Sequence, residues 1–266
     1  DVATGAAIEV MPTSIAGTRV LLATTEDRVA ICGGDGKCLA QGVNVAWALE
    51  RTIGAVEKPE LLIDRVLALD FSPDGKFLAS GGGEPSRSGE LKIWNVENGE
   101  LVKAFAEPHS DTINCVAYSP DGANLATCGS DRFAKIFSVG EGKLIRPLEG
   151  HTHYVLGVTW RADGRMLATS GADSVIKVWD ARNGDQLRTI QGYSKEVNSV
   201  RFVGLTDQVV TTSGDNAVRM KNSSNGGGVR DLGGATDYMF SLGVSADGKT
   251  IVAGGQDGVL RVWNDQ

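Results

Sequence analysis

Residues 150–180 read GHTHYVLGVTWRADGRMLATSGADSVIKVWD, and this stretch decides the fold. Its alternating apolar residues predict β-strands, because successive side chains of a strand point to opposite faces. Asp163-Gly164 predicts a tight turn between two of these strands, since Gly accepts a positive φ. Asn183-Gly184 predicts another reversal, which leads to a more polar strand at Gln186–Ile190. One unit of four strands therefore occupies residues 151–192.

The same unit recurs along the chain with a nearly constant period. The turn Ser72-Pro73-Asp74-Gly75 returns at 119–122, 161–164 and 245–248, so its glycines step by 47, 42 and twice 42 residues. A series of acids steps by 42 residues each time, and a mostly aromatic series steps by 43, 42, 42 and 42 residues. The two series are Asp131, Asp173, Asp215 and Asp257, and Trp94, Phe137, Trp179, Lys221 and Trp263. Three series with one period indicate a repeat protein.

Composition agrees with an all-β chain and excludes several classes of function. Gly makes up 35 of the 266 residues and 41% of the residues are hydrophobic, which is typical of strands joined by many tight turns. The 26 basic and 33 acidic residues give a net charge of −7, which disfavours nucleic acid and anionic membranes as partners. No apolar run approaches the roughly 20 residues that a membrane span needs.

The repeats resemble those of the WD-repeat β-propeller family, whose blades hold four strands in about 40–45 residues. Unit 151–192 carries the fullest motif, with Gly150-His151 at its start, Asp173 in a turn and Trp179-Asp180 at its end. The resemblance covers residues 64–266 well and residues 12–63 weakly, and bacterial WD-repeat proteins with longer multidomain chains are the most similar. It implies an all-β propeller that occupies residues 1–266 as one domain.

Both chain ends match the point between the third and fourth strands of a unit, because residues 1–5 resemble residues 95–99 and the chain ends after Trp263. We therefore expect residues 6–11 to pair beside residues 259–263, which closes the ring and protects a sheet edge. Six four-stranded blades are then preferred, and seven are the alternative. Complete blades are expected at 64–108, 109–150, 151–192 and 193–234, and residues 12–63 have room for one more. In that segment either 21–24 is a second strand or 47–53 is a fourth strand.

The resemblance also implies a chain of polar contacts within a blade, from Asp to His, to a Ser or Thr hydroxyl, to the Trp indole. Because such sets repeat by blade, we interpret them as structural rather than as nucleophilic triads. One blade has all four members, a second has Phe137 in place of Trp, a third has Ala253 in place of the hydroxyl, and a fourth has Tyr193 and Lys221 in place of His and Trp. The expected members are His151, Thr169, Asp173, Trp179, His109, Thr127, Asp131, Asp215, Asp257 and Trp263.

A partner-binding rim is expected on one narrow face of the propeller, where the family topology places the loops before each first strand. Residues 84–90 belong to an insertion that would rise from the same face, and loops on a rigid scaffold are where function tends to lie. Tyr and Arg are enriched at binding hot spots. The residues expected on this rim are Arg65, Arg87, Tyr154, Tyr193, Lys195 and Tyr238.

The cysteine and histidine patterns favour structural roles. Cys115 and Cys128 lie symmetrically about a turn and should face each other across a hairpin, where we expect free thiols in a tight slot and keep a disulfide as the alternative. Cys32 and Cys38 flank a Gly-rich turn. His151 and His153 have the spacing of two metal ligands on one strand face, but no third ligand lies nearby in sequence. We expect neither a metal nor a cofactor.

These patterns favour a non-enzymatic scaffold that binds a protein or peptide, acts as a monomer, and uses neither nucleic acid nor membrane. One alternative is a purely structural propeller, or an excised or engineered piece of a larger protein. A less favoured alternative is a hydrolase with its site in the central channel, which would need acids and histidines clustered at the ring axis. The acids instead recur once per blade at turns.

Overall fold

The computed structural model describes residues 9–12, 29–32, 37–41, 52–53 and 61–265, and these parts of the chain contain antiparallel strands and no helix. Three short strands near the N-terminus form one sheet in the order β1-β3-β2. They are β1 (Glu9–Pro12), β2 (Val29–Cys32) and β3 (Lys37–Gln41). The all-β prediction is confirmed for the described residues.

Residues 65–264 form five further sheets, which we name sheets I to V and in which strands consecutive in sequence pair side by side. Sheet I contains β4 (Arg65–Phe71), β5 (Phe77–Glu84), β6 (Ser88–Asn95) and β7 (Leu101–Ala104). Sheet II contains β8 (Ile113–Tyr118), β9 (Asn124–Gly129), β10 (Ala134–Ser138) and β11 (Leu144–Leu148). Sheet III contains β12 (Val155–Trp160), β13 (Met166–Gly171), β14 (Ile176–Asp180) and β15 (Gln186–Ile190). Sheet IV contains β16 (Val197–Phe202), β17 (Gln208–Ser213), β18 (Ala217–Asn222) and β19 (Gly228–Leu232), and sheet V contains β20 (Met239–Val244), β21 (Thr250–Gly255) and β22 (Leu260–Asn264).

The Asp-Gly turns join the first and second strands, as the sequence predicts. Gly75 and Gly122 have φ values of 70° and 71°, in the left-handed region where a side chain would be strained. In the turn before Gly75, the Ser72 hydroxyl donates a 2.6 Å hydrogen bond to Asp74, whose carboxylate also accepts the Lys76 N–H. The turn is therefore closed by its own polar side chains, which explains why Ser and Asp recur there.

The core lies between consecutive sheets, whose first strands run side by side. Between sheets I and II, Leu91 and Ile93 of β6 form one buried cluster with Ile113 and Val116 of β8. Burial of each such side chain contributes roughly 1.5–3 kcal/mol to stability. Similar clusters join sheet II to sheet III, sheet III to sheet IV and sheet IV to sheet V. Sheets stacked face to face around their first strands are the arrangement typical of propeller blades.

The structure does not place the N-terminal strand where the sequence predicted it. Glu9–Pro12 pairs with Lys37–Gln41, and no pairing between β1 and β22 is present among the described strands. Residues 6–8 lie outside the described residues. Sheet V has three strands in the part of the chain that the structure describes. Ring closure, the number of blades and the single domain 1–266 therefore remain predictions.

The alternatives for residues 12–63 also stay open. Residues 21–24 and most of 47–53 lie outside the described residues. The strands that the structure does place there are β2 and β3, which pair so that Cys32 lies directly opposite Cys38. Neither of these strands was among those that the sequence singled out, although the sequence between them contains Asp35-Gly36.

Candidate functional site

Sheet III contains the complete chain of polar contacts. The His151 Nδ1 atom lies 2.9 Å from both carboxylate oxygens of Asp173, and its Nε2 atom lies 2.8 Å from the Thr169 hydroxyl. The Trp179 indole donates a 2.9 Å hydrogen bond to the same hydroxyl. Burial raises the pKa of Asp173, but hydrogen bonds from His151 and the Thr152 N–H outweigh it, so the pKa lies below its usual value.

This chain of contacts cannot work as an exposed nucleophilic triad. Thr169 is fully buried, and the His151 side chain is shielded from solvent, so the hydroxyl is out of reach of a substrate. What the contacts do is satisfy four buried polar groups that would each cost free energy if unpaired. They also tie the loop before β12 to the turn before β14. The geometry fits a structural role for this set.

Sheet II repeats the arrangement without the indole. His109 Nδ1 lies 2.9 Å from Asp131, and its Nε2 lies 2.7 Å from the Thr127 hydroxyl. Phe137 is buried at the Trp position and cannot donate a hydrogen bond. Burial lowers the pKa of His109, against the opposing effect of the Asp131 carboxylate. The pKa of Asp131 is in turn lowered, since its contacts with His109 outweigh the effect of burial.

Sheet IV holds the acid with a different partner. The Tyr193 hydroxyl takes the place of the imidazole and lies 2.9 Å from Thr211. Asp215 instead pairs with Arg219, whose Nη1 atom donates to both of its oxygens at 2.9 Å. The Arg219 guanidinium also lies 5.1 Å from the centre of the Tyr193 ring. Lys221, at the Trp position, lies with its ammonium 5.8 Å from the same ring.

Sheets V and I complete the series. In sheet V, Asp257 accepts two hydrogen bonds from Arg261 and one of 2.7 Å from the Thr236 hydroxyl, and the Trp263 indole donates to Gly233 O at 3.2 Å. In sheet I, the Trp94 indole donates to Ser80 at 2.8 Å.

A buried ion pair in sheet I was not anticipated from the sequence. Lys92 and Glu90 are 7% and 8% exposed, and their charged atoms are 2.5 Å apart. The Lys92 ammonium also donates to Leu61 O at 2.7 Å, and Glu90 accepts the Ile63 N–H at 3.2 Å. A Glu and a Lys two residues apart lie on the same side of a strand, which is the signal that sequence reasoning missed.

One narrow face carries the loops before the first strands and the turns between second and third strands, and we call it the rim face. Both kinds of loop lie at this end because the strands are antiparallel. Tyr154 is 47% exposed, and its ring lies 4.4 Å from that of His153. Arg87 lies at the tip of the β5–β6 hairpin and pairs with Glu84 at 2.5 Å. Arg65 and Lys195 are also exposed on this face.

The insertion is an extension of this hairpin rather than a separate loop. Gly83 pairs with Gly89 and Glu84 with Ser88, so the strands continue almost to the tip. The tip reaches over sheet II, where the Ser86 N–H donates to Asp111 at 2.7 Å. Arg87 therefore lies at the tip of a β-hairpin on the rim face.

Tyr193 does not belong to the rim, which corrects its predicted place there. It is 9% exposed, because its ring fills the site that His109 and His151 occupy in sheets II and III. The alignment of repeats predicted this substitution, and the same residue could not also face solvent. Its pKa is raised to about 12, chiefly by burial.

Tyr238 is half-buried and locked in place. Its hydroxyl donates to the Glu196 carboxylate, and it lies 3.2 Å from Asn198 Oδ1. Burial and the Glu196 charge raise the pKa of Tyr238 to about 12, and this hydrogen bond lowers the pKa of Glu196. Phe240, 47% exposed, lies with its ring 4.9 Å from that of Tyr238. Phe240 was missed because it lies within the first strand of its sheet, and the predicted rim included only residues before the first strands.

Metal and membrane roles find no support in the described residues. His153 is exposed, and its Nδ1 atom accepts the Tyr154 N–H at 2.9 Å, while both nitrogens of His151 are engaged within sheet III. Among residues 61–265 and the shorter described segments, no cluster of three or more His, Cys, Asp or Glu side chains is placed to hold a metal ion. No described segment forms a helix of the length and apolarity needed to cross a bilayer.

Curated relatives match parts of the chain. Residues of this protein are 42% identical over 64 positions to a WD repeat-containing protein 26 homolog of Drosophila melanogaster, which covers 24% of this chain and 10% of the relative. They are 33% identical over 81 positions to Actin-interacting protein 1 of the same species, a match that covers 30% of this chain and 13% of the relative. They are 32% identical over 114 positions to WD repeat-containing protein VIP3 of Arabidopsis thaliana, a match that covers 38% of this chain and 33% of the relative. The matches thus span a tenth to a third of these relatives. Because they are eukaryotic, the expected bacterial type is not supported.

A family model matches the chain at every described sheet from I to V. The model is described as WD domain, G-beta repeat, and it matches residues 63–95, 99–138, 142–180, 184–220 and 228–264. Each match after the first begins at the last strand of one sheet and ends at the third strand of the next, and the third match includes the His and Asp of sheet III. The chain belongs to the WD40-repeat family.

Proposed function

We propose that this chain is a non-enzymatic scaffold that binds a protein or peptide segment on its rim face. The observation that carries the proposal is a pair of aromatic contacts there, His153 with the exposed Tyr154 and the half-buried Tyr238 with the exposed Phe240. Exposed aromatic side chains offer apolar area at little entropic cost, and Tyr is enriched at binding hot spots. In this proposal the chain acts as a monomer, without a cofactor, and with neither nucleic acid nor membrane as a partner.

The rim is also held in one conformation before any ligand arrives. Tyr238 is fixed by Glu196 and Asn198 of the neighbouring sheet, and the tip of the sheet I hairpin is fixed by Asp111 of sheet II. Groups held in place by such contacts lose little freedom on binding, which favours affinity. Arg87, whose charge is balanced by Glu84, and Lys195 lie on the same face and offer hydrogen-bond donors to a bound segment.

The names of relatives are compatible with such a role. One relative is named for interaction with actin, and another, 33% identical over 93 residues, is the Arabidopsis thaliana transcriptional corepressor LEUNIG_HOMOLOG. Each match covers no more than 13% of that relative. They support protein binding as a general role and carry no partner identity to this chain.

A closed ring of six blades is part of the proposal, and uncovered apolar positions support it. Leu69 on the first strand of sheet I is 58% exposed. Its counterparts in sheets II to V, at the same place of each repeat, are all apolar and at most 7% exposed because the preceding sheet covers them: Val116, Val158, Val200 and Leu242. At the other end, Val262 of sheet V is 51% exposed, whereas Ile93, Ile136 and Val178 are at most 2% exposed. Residues 12–63 are the segment proposed to cover both faces.

A charge placed at Leu69 tests the closure. If residues 12–63 cover this position, Leu69→Asp in the full chain buries a carboxylate and should lower the free energy of unfolding by about 3 kcal/mol or more, as Val116→Asp should. Leu205→Asp, at a 71% exposed position, is the neutral control. Urea unfolding measures all three. A Leu69→Asp protein as stable as the Leu205→Asp control would refute the closed ring.

Peptide selection tests the binding role directly. The immobilised full chain is used to select peptides from a random displayed library, and the dissociation constant of one selected peptide is measured by fluorescence polarisation. Tyr154→Ala and Phe240→Ala should each weaken binding of peptides that use their pair by about tenfold, which corresponds to about 1.4 kcal/mol.

The control is Leu205→Ala, which removes an apolar side chain that is 71% exposed from the opposite narrow face. Its affinity should equal that of the original chain. If every selected peptide binds both aromatic variants as tightly as the original chain, or if Leu205→Ala is the variant that loses affinity, the rim face is not the binding surface.

A further inference from the structure

Two thiols face each other at the inner edge of sheet II. Cys115 of β8 lies directly opposite Cys128 of β9 in the antiparallel register. The other sheets place small residues without thiols at the same paired positions. These pairs are Ala68 with Gly81, Gly157 with Ser170, Ser199 with Thr212 and Ser241 with Gly254. The fold therefore favours small side chains at this place, and among sheets I to V only sheet II has sulfur at both positions.

The spacing suits a covalent bond. Residues directly opposite each other in an antiparallel pair have Cα atoms about 4.5 or 5.5 Å apart. A disulfide spans roughly 4.4–6.8 Å between Cα atoms, so a directly opposed pair falls within the range that one can bridge. We propose that Cys115 and Cys128 form a site of reversible oxidation, in which a hydroperoxide oxidises Cys115 and Cys128 then closes a disulfide within sheet II.

Only one of the two thiols is accessible. Cys115 is half-buried and lines a cavity of about 420 Å³ among the first strands, together with Asp70, Thr159 and Arg201. Cys128 is fully buried between sheets II and III. A small oxidant can therefore reach Cys115 through the cavity, while Cys128 can be reached only by Cys115. This asymmetry assigns the attacking role to Cys115 and the resolving role to Cys128.

The surroundings also favour a thiolate at Cys115. The hydrogen bond with Cys128 and the nearby Arg201 guanidinium lower the pKa of Cys115, against the opposing effects of burial and of the Asp70 carboxylate. Burial and the neighbouring sulfur raise the pKa of Cys128, which favours the thiol form there. The thiolate is the nucleophile in thiol chemistry, so the two cysteines differ in reactivity as well as in access.

The proposed oxidation proceeds in two steps. The Cys115 thiolate attacks the terminal oxygen of the hydroperoxide, an S–O bond forms, the O–O bond breaks, and the alkoxide or hydroxide leaves after taking a proton from solvent. Cys115 is then a sulfenic acid, oxidised by two electrons, and the peroxide is reduced. The Cys128 sulfur attacks the Cys115 sulfur, the S–S bond forms as the S–O bond breaks, and the departing hydroxide takes the Cys128 proton and leaves as water. A thiol reductant reverses the reaction.

The experiment uses the full chain with Cys32→Ser and Cys38→Ser, so that the proposed pair supplies the only thiols. After treatment with hydrogen peroxide, intact mass should show the loss of two hydrogens, and peptide mapping without reductant should join Cys115 to Cys128. With Cys128→Ser the disulfide cannot form, and dimedone should label a sulfenic acid at Cys115. With Cys115→Ser, Cys128 should stay unmodified. Both substitutions copy hydroxyl residues that sheet IV carries at these positions, so we expect the fold to persist.

A second variant separates reactivity from mere exposure. Arg201→Gln should slow alkylation of Cys115 by iodoacetamide several-fold, and Arg201→Lys should restore most of the rate, because the effect comes from positive charge. The inference is overturned if the folded chain gives no disulfide although the urea-unfolded chain does, if Cys128 is the first to be labelled, or if Arg201→Gln leaves the alkylation rate unchanged. None of these outcomes bears on peptide binding at the rim face.

Discussion

Sheets III and IV have the same strand order and nearly the same backbone register, but they satisfy their buried acids in different ways. Asp173 of sheet III is bound by an imidazole that continues to a hydroxyl and an indole. Asp215 of sheet IV is bound by Arg219, and its tyrosine contacts the hydroxyl separately. The polar groups form one connected chain in the first sheet and two independent contacts in the second. The fold thus requires a donor for the acid and does not require one particular residue.

The residue four positions after each acid differs between the two solutions. Sheets II and III have Lys135 and Lys177 there, and both have a His that binds the acid. Sheets IV and V have Arg219 and Arg261 there, and each Arg binds the acid of its own sheet. A guanidinium offers several donors in a fixed geometry and can replace the imidazole, whereas the Lys ammonium is a single point of charge. In sheets IV and V the pattern Asp-x-x-x-Arg therefore marks an acid that is bound by Arg in place of His.

The largest effect should come from removal of the connecting residue in sheet III. His151→Ala leaves Asp173 and Thr169 without their shared partner in a site closed to solvent, and breaking such a buried pair typically costs 3 kcal/mol or more. We expect the free energy of unfolding, measured in urea, to fall by about 3 kcal/mol. His153→Ala removes an exposed imidazole two residues away and should change it by less than about 0.5 kcal/mol. Equal losses in the two variants would contradict a structural role for the polar contacts of sheet III.

Sheet IV should respond more weakly to the matching change. Tyr193→Phe keeps the ring that packs beside Arg219 and removes only the hydroxyl that lies 2.9 Å from Thr211. Thr211 still has Arg219 O as a hydrogen-bond acceptor at 3.2 Å. We expect a loss of about 1 kcal/mol, the value of one net hydrogen bond. A loss as large as that of His151→Ala would show that sheet IV is also one connected chain, and the contrast between the two sheets would fail.

The repeats made much of the fold predictable, because each series of residues reports a local requirement. The Asp-Gly turns and the strand Gln186–Ile190 are where the sequence predicted them, since turn chemistry and alternation act within a few residues. The pairing of residues 9–12 was not predicted correctly. A strand's partner depends on which edge is nearest in the folded chain, and a match between chain ends carries no information about competing edges such as that of Lys37–Gln41.

Burial was the other limit of sequence reasoning at the rim. Tyr154, Tyr193 and Tyr238 were grouped because they are aromatic and close to the starts of strands. The structure separates them into an exposed, a buried and a half-buried residue. The outcome for Tyr193 follows from the alignment with His109 and His151, whereas that of Tyr238 depends on Glu196 of another sheet. The period of the repeat does not predict which residues of neighbouring sheets come into contact.

The smallest effect is a dependence on pH that only an imidazole can produce. Burial lowers the pKa of His109 below its usual value of 6.5, so the unfolded chain binds this proton more readily than the folded chain does. The corresponding stability is fully present above pH 6.5 and is lost as the pH falls towards the lower, folded-state pKa. Urea midpoints of the original chain should therefore drop between pH 7 and pH 5 by more than those of His109→Gln, which retains His151, His153 and all carboxylates. The low pKa of Asp131 acts at a more acidic pH and leaves this window unaffected. If both proteins lose the same stability over this range, His109 is not held neutral by its burial, and the imidazole of sheet II is less different from the Arg219 of sheet IV than their geometry indicates.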